Sequence, residues 1–417
     1  MRLKYCIALS VILIFLNALE LYSDSPQENK SDLITQISIS GLKRTKKHIA
    51  EKPLEKFIGQ DAASIDLNDV RTAIIETGIL EPVSVEIEDN TEGNGKTLKI
   101  LVQEKWTIFP LPIFFVNSSN FGGGLGFIDF NAFGINDKFL IVGLLTSDSW
   151  MGAVGYIHTP DKTGSPGWRI SAFYSEQERT DSDELDRDIR RFGLNKVMVS
   201  MEVNYNLTEL AAISFGAAFY NKKIQKIDNP LAAPGDDGVT VNLTPGFMLL
   251  KNSWDGYFLS QKSLKINYTY SIGINYPSFH EAGIEAYYEK SIVPGFRMIT
   301  TAGIIFAPYS PPLFESSPNA VNINILPQSF SAQSLFGVTA GVEQYIFKNS
   351  LGILSLLSSY QVTYSDGPIL GERLDYGVLG AVRFYLKKAA IPAVGLGVSY
   401  NLAANYLQGA FNVGMRY

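Results

Sequence analysis

The chain has almost no cysteine. Cys6 is the only one in 417 residues, and it falls in the apolar run at the amino terminus. A chain that sheds that run has no disulfide and no thiolate metal site. Histidine is nearly as scarce. His48, His158 and His280 are the only three, and they lie far apart with no ligand spacing, which suits solvated or interior positions better than a metal centre. Charged residues are few, at 18%, while aromatic residues reach 12%, the reverse of a disordered composition. The formal net charge of −6 argues against nucleic acid as a partner. After the leader no run reaches the ~18 uninterrupted apolar residues of a spanning helix. There is no nucleophile elbow, no phosphate loop and no His–Ser pair at plausible spacing. No catalytic residue, metal site or cofactor is therefore expected, and the chain is not expected to be an enzyme.

What is present begins with a positive start, Met1-Arg-Leu-Lys4, and an apolar run over residues 5–21. This predicts a secretory signal peptide over 1–23, cut near Ser23, with a retained membrane anchor as the other reading. Cys6 lies too early in the run to be a lipidation site. Residues 24–32 form a polar linker.

Residues 33–104 predict a small β-α-α-β-β unit. Residues 34–39 alternate as a strand ending at Gly41. Thr45 is placed to cap a first helix over 46–58, which Pro53 would kink or shorten. Asp66 caps a second helix, with Asp69 at the capping-box position and Leu67, Val70 and Ile74 as its apolar stripe. Gly78 stops it. Residues 83–87 and 97–102 alternate as two strands around a turn-rich loop at 89–95.

From residue 105 to 417 the pattern is strand after strand, one side apolar and the other polar or small. Val394, Leu396, Val398, Tyr400 and Leu402 alternate with Gly395, Gly397, Ser399 and Asn401. Phe411, Val413, Met415 and Tyr417 alternate with Ala410, Asn412, Gly414 and Arg416. Side chains alternate faces with period 2 along a strand. About sixteen such segments start near 106, 120, 138, 150, 168, 194, 211, 239, 263, 281, 296, 335, 351, 374, 393 and 408. Repetition of aromatic-ended segments of about ten residues is the pattern of a transmembrane antiparallel β-barrel. A secreted chain without spanning helices crosses a membrane only as a closed barrel, because lipid satisfies no free backbone group. The fold class is thus mainly β, a barrel of about 16 strands preceded by one small α+β domain. Even-to-odd connections are short, and several odd-to-even ones are long, at 179–193, 225–238 and 308–334. Barrels of this kind have short periplasmic turns, so the small domain and the carboxyl terminus both fall on the periplasmic side. Val197, Val199, Met201, Val203 and Tyr205 are assigned to lipid.

The small unit resembles a POTRA domain of the outer-membrane protein assembly factor family (BamA/TamA type, bacterial surface antigen). The residues that carry the resemblance are Ile39-Ser-Gly41 with Thr45, and Thr77-Gly-Ile-Leu-Glu-Pro-Val-Ser-Val85. Leu80 stands where the family prefers an aromatic. A third match, Asp129-Phe-Asn-Ala-Phe-Gly134, ends the second strand as in the family. The resemblance implies an outer-membrane protein that inserts or translocates other outer-membrane proteins. It implies as partners unfolded client proteins, outer-membrane lipid and, through the POTRA domain, accessory lipoproteins.

The resemblance also implies candidate site residues. In the family the loop before the twelfth strand enters the lumen and carries a V-R-G-F/Y motif, whose arginine meets an aspartate on the next strand but one. The aligned residues here are Gln328, Ser329 and Phe330. Phe330 fits, Gln328 stands where the arginine belongs, and Ser358 or Ser359 stands near the aspartate's place. Both an inward plug and an ordinary outer loop stay open. The acidic run 181–188 is read as a solvated outer loop, with a cation site as the alternative. Glu343 and Arg383 point to the lumen, to pair across it or to face channel water. The first and last strands form the seam. Pro110 and Pro112 on one side remove ladder donors; Gly409 and Gly414, before Tyr417, pack poorly on the other. The alternative function is a passive pore or structural barrel that kept the fold and lost insertase activity.

Overall fold

The computed structural model describes residues 32–90, 93–116, 121–146, 150–159, 165–228, 233–275, 277–387 and 393–413. Cys6, Ser23, Gly414 and Tyr417 lie outside the described residues, as does the side chain of Pro112. No helix among the described residues is long and apolar enough to cross a membrane.

The amino-terminal unit has strands β1 (Ile34–Ser40), β2 (Leu80–Asp89) and β3 (Lys96–Glu104) and helices α1 (Lys47–Glu51) and α2 (Leu67–Glu76). The sheet order is β1-β3-β2, with β1 parallel and β2 antiparallel to β3. Leu54, Val70, Ile74, Leu80, Leu98 and Ile100 meet in its buried core. Asp66 accepts from the amide of Asn68 at 2.8 Å at the start of α2, the expected cap. The first helix departs from expectation. Pro53 cannot supply an amide to a continuing α-helix, so α1 ends at Glu51 and a 3-10 turn covers Lys52–Phe57. Thr45 does not cap α1. Lys46 holds that place without a side-chain bond, and Thr45 is committed elsewhere.

The other sixteen strands form one sheet: β4 (Ile108–Val116), β5 (Phe121–Ala132), β6 (Asp137–Thr146), β7 (Trp150–His158), β8 (Pro166–Ser182), β9 (Asp188–Asn206), β10 (Ala211–Asp228), β11 (Gly238–Trp254), β12 (Leu259–Gly273), β13 (Phe279–Val293), β14 (Phe296–Phe306), β15 (Ser334–Lys348), β16 (Gly352–Asp366), β17 (Arg373–Leu386), β18 (Val394–Asn401) and β19 (Tyr406–Val413). Each is antiparallel to its neighbour in sequence, from β4 at one end of the order to β19 at the other. The strand starts inferred from alternation fall close to these. The largest differences, at β9 and β12, arise because those strands extend past the segment where apolar and polar residues alternate cleanly.

The sheet curls. Residues 307–333, which join β14 to β15, receive hydrogen bonds from Arg179 on β8 at 3.1 Å and from Lys222 on β10. They also receive them from Ser399 on β18 and from Gln408 on β19. Strands from both halves of the order thus face one segment. Val199, Met201, Val203 and Tyr205 are exposed on the convex face of β9. Arg190, Phe192 and Leu194 are buried on its concave face.

Two connections are shorter than the sequence pattern implies. β8 and β9 pair as far as Ser182↔Asp188, so the connection expected at 179–193 shrinks to 183–187. β10 continues to Asp228. Polar residues in these stretches belong to strands that run on beyond the apolar band.

Candidate functional site

Three places carry the predicted site residues: the two ends of the sheet, the segment inside it, and a buried charge cluster in its wall. A fourth, where the amino-terminal unit docks, was missed.

At the ends of the sheet lie β4 and β19. The β4–β5 ladder is unbroken from Ile108↔Asp129 to Val116↔Phe121. Proline has no N–H to give it, so Pro110 and Pro112 both turn their nitrogens to the free side of β4. Two donors are therefore missing from that edge. On the other end Gly409 pairs with Val398 of β18. β18 has 8 residues, and the described parts of β19 and β4 have 8 and 9, against 17 to 19 in β8–β11.

Residues 307–333 fold inward. Val321, Ile323, Ile325, Leu326 and Phe330 are buried and pack with Leu335. Asn324 donates its amide to Gln361 on β16 at 2.8 Å, and Gln408 donates to the carbonyl of Leu326 at 2.9 Å. Gln328 lines a cavity of about 520 Å³ with Arg179, Lys196, Tyr220, Lys222 and Glu281. Ser329 accepts from the Ser182 amide at 3.0 Å, and its hydroxyl donates to Asp186 at 2.9 Å. Of the two positions near the family's aspartate, Ser359 is buried on the concave face and Ser358 is exposed on the convex one.

The acidic run is solvated only in its second half: residues 185–188 are exposed, while Asp181, Ser182 and Asp183 are buried. Asp181 is buried and pairs with Arg179 at 2.8 Å and with Arg190. Asp183 accepts from the amides of Leu185 and Arg187, both at 2.9 Å. Burial alone would raise its carboxyl, but those donors and the Arg187 guanidinium hold it below the usual range. Glu184 reaches Arg373 on β17 at 3.0 Å, and Asp186 accepts from the Tyr406 hydroxyl on β19 at 3.3 Å. The tip of the β8–β9 hairpin thus crosses to the opposite end of the sheet over the inner segment. The sequence signal was there, since acids alternate with Arg179, Arg187 and Arg190, but their partners on β17 and β19 are distant in sequence.

Glu343 and Arg383 meet at 3.3 Å, along the wall rather than across the hollow. Glu343 is fully buried. It also takes Arg297 at 2.7 Å, Ser355 at 2.6 Å and Tyr385 at 2.8 Å. Arg297 binds Glu289 at 3.1 Å. Two guanidinium groups and two carboxylates balance, which a buried ionic cluster needs. The register makes this possible: Arg297 lies opposite Glu343, and Ser355 opposite Arg383.

The amino-terminal unit docks through the residues that carried two of the family matches. Arg44 grips Asp129 with two bonds, at 3.0 and 2.6 Å. That bond to Asp129 holds the Arg44 guanidinium above its ordinary range. Thr45 accepts from Asn131 at 2.9 Å, which is why it is unavailable to α1. Glu104 accepts from the amides of Lys43, Arg44 and Thr45. Burial would raise the Glu104 carboxyl, yet these donors lower it overall. Gly134 has φ +72, and a Cβ there would lie 2.4 Å from the Arg44 carbonyl, so only glycine allows this approach. Asp129, Asn131 and Gly134 are therefore docking residues.

No protein-family model and no curated protein sequence matches the chain. Solved structures do. CdiB from Escherichia coli superposes with a TM-score of 0.63 at 12% identity, covering 92% of this chain and 76% of that one. CdiB from Acinetobacter baumannii gives 0.57 at 13%, covering 92% and 74%. BamA from Haemophilus ducreyi lacking POTRA domains 1-3 gives 0.51 at 10%, covering 91% and 84%. At such identities the likeness is one of fold. The sheet has the architecture of a BamA- and CdiB-type β-barrel.

Proposed function

We propose that this chain is an outer-membrane barrel that inserts or translocates other outer-membrane proteins, working at the seam between β4 and β19. Residues 33–104 act as its single periplasmic POTRA domain, and no catalytic chemistry or cofactor takes part. The observation that carries the reading is the weakness of the two sheet ends. Pro110 and Pro112 leave β4 without two donors on the side that β5 does not pair, and Gly409 gives β19 no side chain to pack. A client strand pairs with such an edge by strand addition. The convex face meets lipid, and the barrel fold supports the outer-membrane location.

Accessory lipoproteins would bind the POTRA unit, where β2 is an edge of the order β1-β3-β2 and Val83 is exposed on it. The absence of the family arginine at Gln328 favours the second reading, a passive barrel. The segment 307–333 and the hairpin tip argue against an open pore, since both lie within or across the hollow. Depletion in the native host followed by a census of outer-membrane barrels tests the proposal. Loss of several unrelated barrels is expected; an unchanged census contradicts it.

A further inference from the structure

The β11–β12 ladder has a defect in its interior. The register runs through Asn242↔Ser271 and Leu243↔Tyr270, then resumes unshifted at Gly246↔Asn267. The rungs that would join Thr244 to Thr269 and Pro245 to Tyr268 are missing. Pro245 is the cause. Its β10 ladder is unbroken through Pro245↔Phe215, so its donorless nitrogen faces β12. Proline belongs at sheet edges, and β11 is not an edge. The register shifts in the other described ladders of this sheet fall close to strand ends.

The defect lies at the midpoint of the sheet. β11 is the eighth strand from the β4 end and β12 the eighth from the β19 end. In a curled sheet the midpoint lies opposite the two ends. The gap is spanned on the concave face by the hydroxyls of Thr244 and Thr269, 3.0 Å apart. One backbone bond is lost there, the one residue 245 would give to the Tyr268 carbonyl, and the rungs at Leu243↔Tyr270 and Gly246↔Asn267 keep the strands side by side. Tyr268 is exposed on the convex face. In a bilayer an unpaired backbone group there has no water to turn to, so a proline at this level is costly in a wall that never moves.

Two attachments fall on either side of that line, while the β8–β9 hairpin and residues 307–333 cross it. The amino-terminal unit is held by the β4–β11 half: Arg44 on Asp129, Lys56 near Glu209 and α2 against β11. Residues 307–333 belong to the β12–β19 half and are held there by Gln361, Ser399 and Gln408. The halves are clamped to each other through Ser182 with Ser329, Arg190 with Glu315, Arg179 and Lys222 on the Leu313 carbonyl, Glu184 with Arg373 and Tyr406 with Asp186.

We propose that Pro245 is a hinge: the half-sheets β4–β11 and β12–β19 rotate about the β11–β12 interface, and that rotation parts β4 from β19. The inference rests on the reading of the seam as the working edge. A rotation at the midpoint moves the far ends by the longest lever the sheet offers. A sixteen-stranded barrel is roughly 30 Å across, so room for one strand of about 5 Å requires a turn of roughly 10°. The Thr244–Thr269 bond holds register while the hinge flexes, and the Ser182–Ser329 and Arg190–Glu315 contacts set the closed position.

The test places spin labels at Ile108→Cys and Val413→Cys in the full chain reconstituted in lipid vesicles, and reads the β4–β19 distance distribution. Two variants act in opposite directions. Pro245→Val restores a donor to β12 and should narrow the distribution to its short component. Thr269→Val removes the bridging hydroxyl and should enlarge the long component about twofold or more. Thr269→Val is nearly isosteric, so it remains informative if Pro245→Val fails to fold. A broad distribution that neither folded variant alters overturns the hinge and leaves the seam reading standing. A single short distance in the unmodified chain and in Thr269→Val overturns both.

Discussion

The sheet has a tall wall and a short one, and they do different work. In β8–β13 the strands run to 15 residues or more, past the 9–11 or so that a tilted strand needs to cross a bilayer. The surplus carries polar residues beyond the apolar band and ends in the hairpin tip that crosses the mouth. In the short wall β18 has 8 residues, and the described parts of β19 and β4 have 8 and 9. The tall wall is tied by long ladders and the β14–β17 wall beside it by a buried ionic cluster. The short wall contains the two ends of the sheet, with proline on one of them. Stability is concentrated away from the place where an edge has to come free.

The comparison can be broken at several points. The largest effect is expected at Glu343. Glu343→Ala leaves Arg297 and Arg383 buried with only Glu289 between them and should destabilise by about 3–5 kcal/mol. Denaturant unfolding in detergent, followed by heat-modifiability on gels, measures it. Next comes arginine on the convex face. Met201→Arg in the tall wall should cost about 2–4 kcal/mol if it lies at the bilayer midplane. Ser200→Arg on the concave face should be far milder, and equal costs would contradict the register.

Smaller effects belong to the docking of the amino-terminal unit. Arg44→Ala should loosen it by about 1–2 kcal/mol, seen as faster hydrogen exchange at residues 43–46 and 131–136 with the sheet unchanged. The pH dependence is smaller still. The Glu104 carboxyl is held below its ordinary range, so its contribution is present above the unfolded value of roughly 4.3 and is lost as pH falls through the lowered folded value. Protection against exchange at residues 43–45, relative to the intrinsic rate at each pH, should therefore be flat from pH 8 to pH 5 and fall only below about pH 4.

Much of the sheet was legible because period-2 alternation is a local property. Val197 to Tyr205 and Leu264 to Ile272 each declare a strand and its two faces within one stretch. What lies between strands was less legible. Arg179, Asp181 and Arg190 look like loop residues because nothing nearby shows that Leu313 and Glu315 will cover them. Arg297 and Glu289 joined no expected site, since their pairing with Glu343 depends on register between strands and not on spacing along one. Thr45 looked like a helix cap because its partner, Asn131, lies 86 residues away. Pro245 sat in view as a strand-interior proline, but its meaning depends on which neighbour its nitrogen faces, and only the two ladders decide that.

The central claim is that β4 and β19 must separate for the protein to work. The direct measurement is a disulfide between one cysteine placed in each strand, formed and then reduced in the same protein, with assembly of other outer-membrane barrels scored in the native host. The described residues contain no other cysteine to interfere. The account predicts that assembly stops while the bond is closed and returns when it is reduced. Normal assembly with the bond closed would contradict it and leave a passive barrel in its place.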